Sequence, residues 1–573
     1  MKEKATSLVD ILTWRAANQA NKLCYRFLID GESEEQRITY GELDNRARTV
    51  AALLQNGNLV GDRVLLLLPA GLDFIAAYFG CLYAKTIAIP VFPPHPARLD
   101  KTINNTMRIV EDAKASTVLL SSSLYNAINS KKHIKEKFRD LRLIVTDKSI
   151  SGKWVDQWQQ VSIEASDLAF LQYTSGSTST PKGVMVSHGN LLHNLELIKT
   201  SCELTEENCS VSWLPPYHDM GLICGFLAPL YVGFEVSFIP HLLFLQRPFR
   251  WLQAISHYKA TVSGAPNFAY ELCVRKIKPE QRSQIDLSSW DVAFNGAEQI
   301  SPRTLEKFSD YFSICGFNAE SFFPCYGLAE ATILVSGGPK GQKPNSICLS
   351  RKGLNENILI HATESNDETK TLVSCGQFLN GQDIRIVNPE SHKTCLSNEI
   401  GEIWISSESK AKGYWNNPLA TEETFGAQIN NQGKSFLRTG DLGFIYKGEL
   451  YVAGRIKNLI IIDGKNHYSH DIEKTVEKSH KAIRPAGCAV FSTDDAETEK
   501  LVVLAEIQFK RVENKEEVVR AIRRSISEYH QINVYDVVLL LPGSIPKTTS
   551  GKTRHFLCRK NYLTNQLKEI TIL

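Results

Sequence analysis

The sequence holds no Cys-x-x-Cys pair among its 13 cysteines. A zinc ribbon or a thioredoxin-type redox centre requires that spacing, so neither is expected. An odd, scattered set of thiols in a chain of 573 residues reads as reduced cysteine in a cytoplasm, not as a disulfide framework. Long uninterrupted apolar runs are also missing. The most apolar stretch, Val64 to Phe92, is broken by Asp73, Lys85 and several glycines and prolines, so it reads as strand, helix, strand and not as a membrane span. The start, MKEKATSLVDILTWRAANQ, lacks the apolar centre of a signal peptide. Charge of one sign is scarce: 65 basic residues face 62 acidic ones, far from the dense basic stripe of a nucleic-acid binder. No Ser-His-Asp or Cys-His arrangement stands out, so no nucleophile on the protein is expected.

What is present is an ordinary globular composition, 43% hydrophobic and 22% charged, in a chain too long for one core. Short apolar runs alternate with amphipathic stretches at Val64–Leu68, Ile87–Val91, Thr117–Leu120, Leu141–Thr146 and Leu168–Tyr173. This rhythm predicts an α/β fold, with a large N-terminal domain of mostly parallel, doubly wound sheets. It changes near Arg455, where strands and helices follow in the order of a small α+β C-terminal domain. Within that unit Val518, Val519, Ile522, Ile526 and Tyr529 recur at helical spacing. The expected domains are therefore 1–454 and 455–573. The second carries 20 Lys+Arg against 15 Asp+Glu, a basic excess that suits an acidic partner or a merely solvated surface. The segment 337–371, rich in Gly, Pro, Asn, Asp and Glu, reads as an excursion with little structure of its own.

The strongest local signal is Thr174-Ser175-Gly176-Ser177-Thr178-Ser179-Thr180-Pro181-Lys182-Gly183, directly after a predicted strand. Hydroxyls and backbone N–H groups crowd a short loop, glycine lets the backbone approach an anion, and Lys182 adds a cation, which together suit a polyphosphate. Pro-Lys-Gly stands where a Walker A loop needs Gly-Lys-Ser/Thr, so the loop is of another kind.

This string resembles the phosphate loop of the adenylate-forming superfamily, which includes acyl-CoA synthetases, peptide-synthetase adenylation domains and luciferases. Ser179 stands where many members have glycine. Further segments are similar to that superfamily in the same order, over residues 30–560. Pro216-Tyr217-His218-Asp219-Met220-Gly221-Leu222 resembles the motif at the acyl entrance and implies His218 beside the reacting carboxylate. Asn295-Gly296-Ala297-Glu298 resembles the adenine-side turn. Tyr326-Gly327-Leu328-Ala329-Glu330 resembles the segment that stacks an aromatic ring on adenine, and the resemblance gives magnesium to Glu330 with Thr178. By the same resemblance Asp441 takes the ribose hydroxyls, Arg455 reaches ribose or phosphate, Lys457 is the hinge between two domain poses, and Lys552 is the catalytic lysine. The cofactors implied are ATP and Mg²⁺.

The stretch after Asp219 is apolar with small residues interspersed, which suits a hydrophobic tunnel or a packed core. The tunnel reading makes Met220, Gly221, Ile223, Gly225 and Phe226 the acyl pocket. Asp219 follows His218, where amino-acid-activating domains usually carry a Phe-Asp pair, so a fatty acid is favoured over an amino acid. Pro90-Val91-Phe92-Pro93-Pro94, and Asn466-His467-Tyr468 with Asp471-Ile472-Glu473, are similar to the fatty acyl-AMP ligase branch. That branch carries an insertion where 337–371 lies and passes its acyl group to an acyl carrier protein. The alternatives left open are a fatty acyl-CoA synthetase using free coenzyme A and a non-catalytic adenylate-binding protein.

Overall fold

The computed structural model describes residues 5–57, 59–147, 152–174, 181–364, 366, 368–430, 433–462, 465–495, 498–508, 514–548 and 551–567. Two large sheets build the N-terminal part. The first runs Arg142–Val145, Thr117–Leu120, Arg63–Leu67, Ile87–Pro90, Leu168–Thr174 and Lys182–Ser187, parallel except for the last pair. Its central strands are apolar on both faces because both are covered. Val64, Leu66 and Leu68 face the main core, while Leu65 and Leu67 face a second one.

The second sheet has two halves. The strands Leu23–Leu28, Glu235–Phe238, Cys209–Ser212, Val262–Ala265, Val292–Asn295 and Phe322–Gly327 are parallel. From Phe322–Gly327 onward the sheet continues antiparallel through Leu334–Gly337, Gln377–Phe378, Glu449–Arg455, Ser435–Tyr446, Gly401–Ser406 and Asp383–Val387. Mixed sheets therefore replace the mostly parallel ones expected in this half. One physical reason is local: Lys447 and Gly448 both have positive φ, 51° and 80°, the geometry of a tight hairpin that only antiparallel strands accept.

The segment 337–371 departs from its expectation. Ser346–Ser350 pairs antiparallel with Thr369–Val373, and Arg351–Asn355 forms a short helix. Ile347, Leu349, Leu354 and Leu359 are buried against Leu442, Phe444, Tyr451 and Ala453, and against Tyr468 of the C-terminal domain. Turn-forming residues dominate its composition and mask two alternating apolar pairs, which is why it reads as loop.

The small C-terminal domain is α+β as expected. A two-stranded sheet, Leu459–Ile462 with Lys465–Tyr468, precedes the helix Ser469–Ser479. Ile483–Asp495, Thr498–Ile507 and Val534–Leu540 form a three-stranded sheet, flanked by the helices Lys515–His530 and His555–Leu563. Val518, Ile522 and Ile526 are fully buried, whereas Tyr529 at the helix end faces solvent. Among the described residues no helix is long and apolar enough to cross a membrane.

Candidate active site

A cleft of about 2190 Å³ opens where the C-terminal ends of the parallel strands meet the small domain. Its walls come from both domains, and most of the expected site residues reach it. The strand Leu168–Thr174 delivers Thr174 to the wall, and Lys182 opens the next strand. The Lys182 ammonium sits 4.6 Å from the Tyr414 ring centroid, which fixes its direction. Ser175, Gly176, Ser177, Thr178, Ser179 and Thr180 lie outside the described residues. Gly183 does not line the cleft: a Cβ there would meet the Tyr173 ring at 3.0 Å, so its glycine serves packing.

On the opposite wall, His218 follows Pro215 in a turn closed by His218 N–H to the Pro215 carbonyl, 3.2 Å. Burial lowers the His218 pKa, so the ring is neutral at pH 7; Asp219 opposes the shift and Lys552 adds to it. Asp219 accepts the Met220 N–H at 2.8 Å and starts a π-helical stretch, Met220–Leu227. Gly221 is obligatory there, since a Cβ would lie 2.0 Å from the Pro215 carbonyl oxygen. The wide helix turns Met220, Gly221 and Cys224 to the cleft. Ile223, Gly225 and Phe226, expected in the acyl pocket, face the core instead; Phe226 stacks on Phe238 at 3.8 Å. An ordinary helical spacing would have chosen different residues, and the extra residue per turn is the cause.

The acyl wall is completed by residues that sequence reasoning missed, among them Ile198, Cys202, Leu204, Phe234 and Val262. They come from one helix and three separate chain segments, so no linear pattern joins them.

Nucleotide-side groups are tied together more tightly. Tyr326 donates its hydroxyl to one oxygen of Asp441 at 2.7 Å, and Arg455 Nε donates to the other at 2.7 Å. Asp441 is 6% exposed and raises the Arg455 pKa. Gly327 allows the close turn, because a Cβ would meet the Ile333 carbonyl at 1.8 Å. Leu328, Ala297 and Glu298 line the cleft, and Ala297 holds a positive φ of 66°. Glu298 accepts the Phe268 N–H at 2.6 Å, and burial raises its pKa. Asn295 and Gly296 are not lining residues. Asn295 is fully buried, with neither amide atom partnered among the described residues, and Gly296 packs on Cys325. Glu330 lines the cleft and accepts the Tyr414 hydroxyl at 2.8 Å. Tyr414, also missed, follows Gly413, whose φ of 126° turns the loop inward; a Gly-aromatic pair between strands was the available signal.

From the small domain comes Lys552. Its loop is a hairpin: Thr548 N–H bonds to the Lys552 carbonyl at 2.8 Å, Lys552 N–H to Thr548 Oγ1 at 3.0 Å, and Arg554 N–H to the Pro546 carbonyl at 2.9 Å. Burial lowers the Lys552 pKa and Arg455 adds to that, while Asp219, Glu298 and Asp441 oppose it. Four charged groups of the opposite wall thus act on one ammonium. Lys457 lies in the single 3₁₀ turn Ile456–Asn458 between the domains and also lines the cleft.

A two-domain cleft with Thr174 and Lys182 on one side, a buried Asp441 tied to Tyr326 and Arg455 below and a lysine reaching in from a small domain defines a nucleotide-dependent enzyme that activates carboxylates. The chain belongs to the AMP-binding enzyme family, whose profile matches residues 12–415. Residues 457–572 match the profile "Disco-interacting protein 2-like, AMP domain". The chain is similar to the medium-chain-fatty-acid–[acyl-carrier-protein] ligase JamA of Moorena producens, 42% identical over 99% of this chain and 97% of JamA. It is also similar to the solved fatty acyl-adenylate ligase of L. pneumophila in complex with acyl adenylate and pyrophosphate: TM-score 0.77, 41% identity, 98% of this chain and 97% of that one. A further structure, from a study of the E. coli and L. pneumophila fatty acyl-adenylate ligases, gives a TM-score of 0.86 at 30% identity, with 99% of each chain covered.

Proposed function

We propose that this enzyme activates a medium- or long-chain fatty acid with ATP and passes the acyl group to an acyl carrier protein in the cytoplasm. The observation that carries the reading is Lys552, brought by the small domain to the wall that holds Asp219, Glu298, Asp441 and Arg455.

In the first step a carboxylate oxygen of the acid attacks the α-phosphorus. The bond to the bridging oxygen of the β-phosphate breaks, and pyrophosphate leaves. Negative charge gathers on the phosphoryl oxygens, where Lys552 and Lys182 supply positive charge and Thr174 a hydroxyl and an N–H. The Asp441 carboxylate orients Tyr326 and Arg455, so the adenosine side of the cleft is built before the nucleotide arrives. Neutral His218 borders the carboxylate without forming an ion pair that would blunt its attack.

Magnesium fits this donor set. Glu330 offers a hard oxygen ligand on the cleft wall, and Mg²⁺ commonly takes one or two carboxylates together with substrate phosphates. When bound, it supplies charge neutralisation on the polyphosphate. Glu330, held by the Tyr414 hydroxyl, would orient it.

In the second step the phosphopantetheine thiol of the carrier attacks the acyl carbonyl, and AMP leaves. The division at 454/455, with Lys457 as hinge, belongs to this proposal, because the second step calls for another pose of the small domain. The preference for a carrier over free coenzyme A is supported by the segment 337–371. Lys370 bonds to Asp471 of the small domain at 2.7 Å, and the Lys370 ammonium lies 4.9 Å from the Tyr468 ring. Arg351 adds a weaker contact to Asp471 at 3.9 Å. These contacts hold the pose in which Lys552 reaches the cleft.

Product analysis tests the whole reading. The enzyme, ATP and a fatty acid should yield acyl-AMP and pyrophosphate. A loaded carrier should appear when the phosphopantetheinylated protein is added, with little acyl-CoA from free coenzyme A. Efficient acyl-CoA formation would make it an acyl-CoA synthetase, and absence of pyrophosphate release would make it a binding protein.

A further inference from the structure

The acyl side of the cleft includes a hydroxyl among its apolar walls. Beyond Cys224 it is walled by Ile198, Cys202, Leu204, Ala228, Phe234 and Val262, all apolar or thiol. Ser210 lines the same space. It lies on the strand Cys209–Ser212 directly opposite Val262 in the sheet register, so both side chains share the cavity face. Ser210 is 5% exposed, and the part that remains open lines the cavity. Serines nearby on the sheet are satisfied: Ser212 Oγ accepts the Leu214 N–H at 3.3 Å, and Ser263 Oγ donates to the Val211 carbonyl at 2.5 Å. A hydroxyl that opens onto an apolar cavity keeps its hydrogen-bonding capacity for whatever fills that cavity, and loses it when only methylenes are there.

We propose that Ser210 forms a distal subsite for acyl chains whose far end carries a neutral hydrogen-bonding group, such as a terminal hydroxyl or keto oxygen. The inference rests on the fatty-acid reading of the cleft. The wall at this end bears no charge, so a terminal carboxylate or ammonium finds no counter-ion there. Its reach follows from the strand. Leu214 and Ser210 both line the cleft four residues apart, about 13 Å of extended chain. Carbon–carbon bonds near 1.52 Å advance a zigzag alkyl chain about 1.3 Å per carbon, so roughly ten carbons span the distance. The hydroxyl of Ser210 both donates and accepts, which suits a hydroxyl at the chain end better than a methyl.

The experiment is fatty-acid-dependent ATP–pyrophosphate exchange with paired saturated and terminally hydroxylated acids of roughly eight to twelve carbons. The wild-type enzyme and the Ser210→Ala and Ser210→Val variants are compared. In the wild type, one hydroxylated acid near the matching length should equal or exceed its unsubstituted partner in kcat/KM. Ser210→Ala should lower that hydroxylated acid by about fivefold, the scale of one neutral hydrogen bond, and leave the unsubstituted acid within about twofold. Ser210→Val should impose rejection of the hydroxylated acid with the methyl-ended acid still active. Equal loss for both acids in Ser210→Ala, or wild-type rejection of every hydroxylated acid, overturns the subsite. If the wild type activates no unsubstituted fatty acid at all, the proposed function itself falls.

Discussion

The two walls of the cleft are built differently. On the large domain, Asp441 is buried, bonded on one oxygen to Tyr326 and on the other to Arg455, and seated in a continuous sheet. On the small domain, Lys552 rides a short hairpin whose base is held by a few polar contacts: His555 to Glu473 at 2.6 Å, and Lys547 to the Ala486 carbonyl at 2.7 Å. One wall is preorganised by the fold; the other is delivered. A reaction that stabilises charge needs fixed groups, while a sequence of two reactions in one cleft needs one wall that moves. On the proposed function, the molecule divides those requirements between its domains.

The largest effect should come from removing the delivered charge. Lys552→Ala should lower acyl-AMP formation by roughly 10²–10³, the usual scale for losing one transition-state partner, while nucleotide binding measured by calorimetry stays close to wild type. Breaking the fixed wall should act differently. Asp441→Asn leaves Arg455 and Tyr326 without their charged acceptor, and hydrogen bonds to charged groups contribute about 1.5–3 kcal/mol. The expected result is an ATP KM raised by roughly 10- to 100-fold with a smaller change in kcat.

A third prediction sharpens the contrast through pH. Burial alone would lower the His555 pKa, but the Glu473 hydrogen bond and charge outweigh it and raise it. The stabilisation is therefore fully present below the unfolded histidine value of about 6.5 and is lost as pH rises through the folded value. Thermal unfolding of the small domain should shift downward over that window in the wild type. Glu473→Gln should flatten the dependence, and an unchanged profile would remove the pair from the account.

The smallest effect concerns the tie between the walls. Lys370→Ala removes the cation that pairs with Asp471, whose pKa burial would raise but Lys370, with His470 and Arg351, brings down to about 2. Turnover with free coenzyme A should rise by about threefold to tenfold, the scale of 1 kcal/mol or so in a two-state balance, and adenylation should change little. A coenzyme A rate that does not move would place the acceptor preference elsewhere.

Much of this was legible in the chain. Strand periodicity around Val64–Leu68 and Leu168–Tyr173 predicts the parallel sheets, because buried strands are continuous apolar runs. Short motifs mark Lys182, Tyr326, Glu330, Asp441, Arg455 and Lys552, which gather around one cleft. What stayed hidden depends on long-range register. The antiparallel half of the second sheet is joined through long-range pairs, Leu334–Gly337 with Gln377–Phe378 and that strand with Glu449–Arg455, and 337–371 gains its order from Tyr451 and Tyr468, beyond its own composition. The π-helical stretch after Asp219 moved the acyl wall to Cys224 and left Phe226 in the core. Ser210 and Val262 meet only through sheet pairing, so neither could be singled out from the linear chain.

The most direct test of the division between a fixed and a delivered wall is a single-turnover measurement. Acyl-AMP formed from ATP and fatty acid is followed by rapid quench in the wild type, in Lys552→Ala, and in a mixture with preformed acyl-AMP and phosphopantetheinylated carrier. The account predicts that Lys552→Ala loses the first step by the factor given above yet still transfers acyl groups from supplied acyl-AMP to the carrier. If the variant makes acyl-AMP at the wild-type rate, or loses both steps equally, Lys552 is not the charge that the small domain delivers for adenylation.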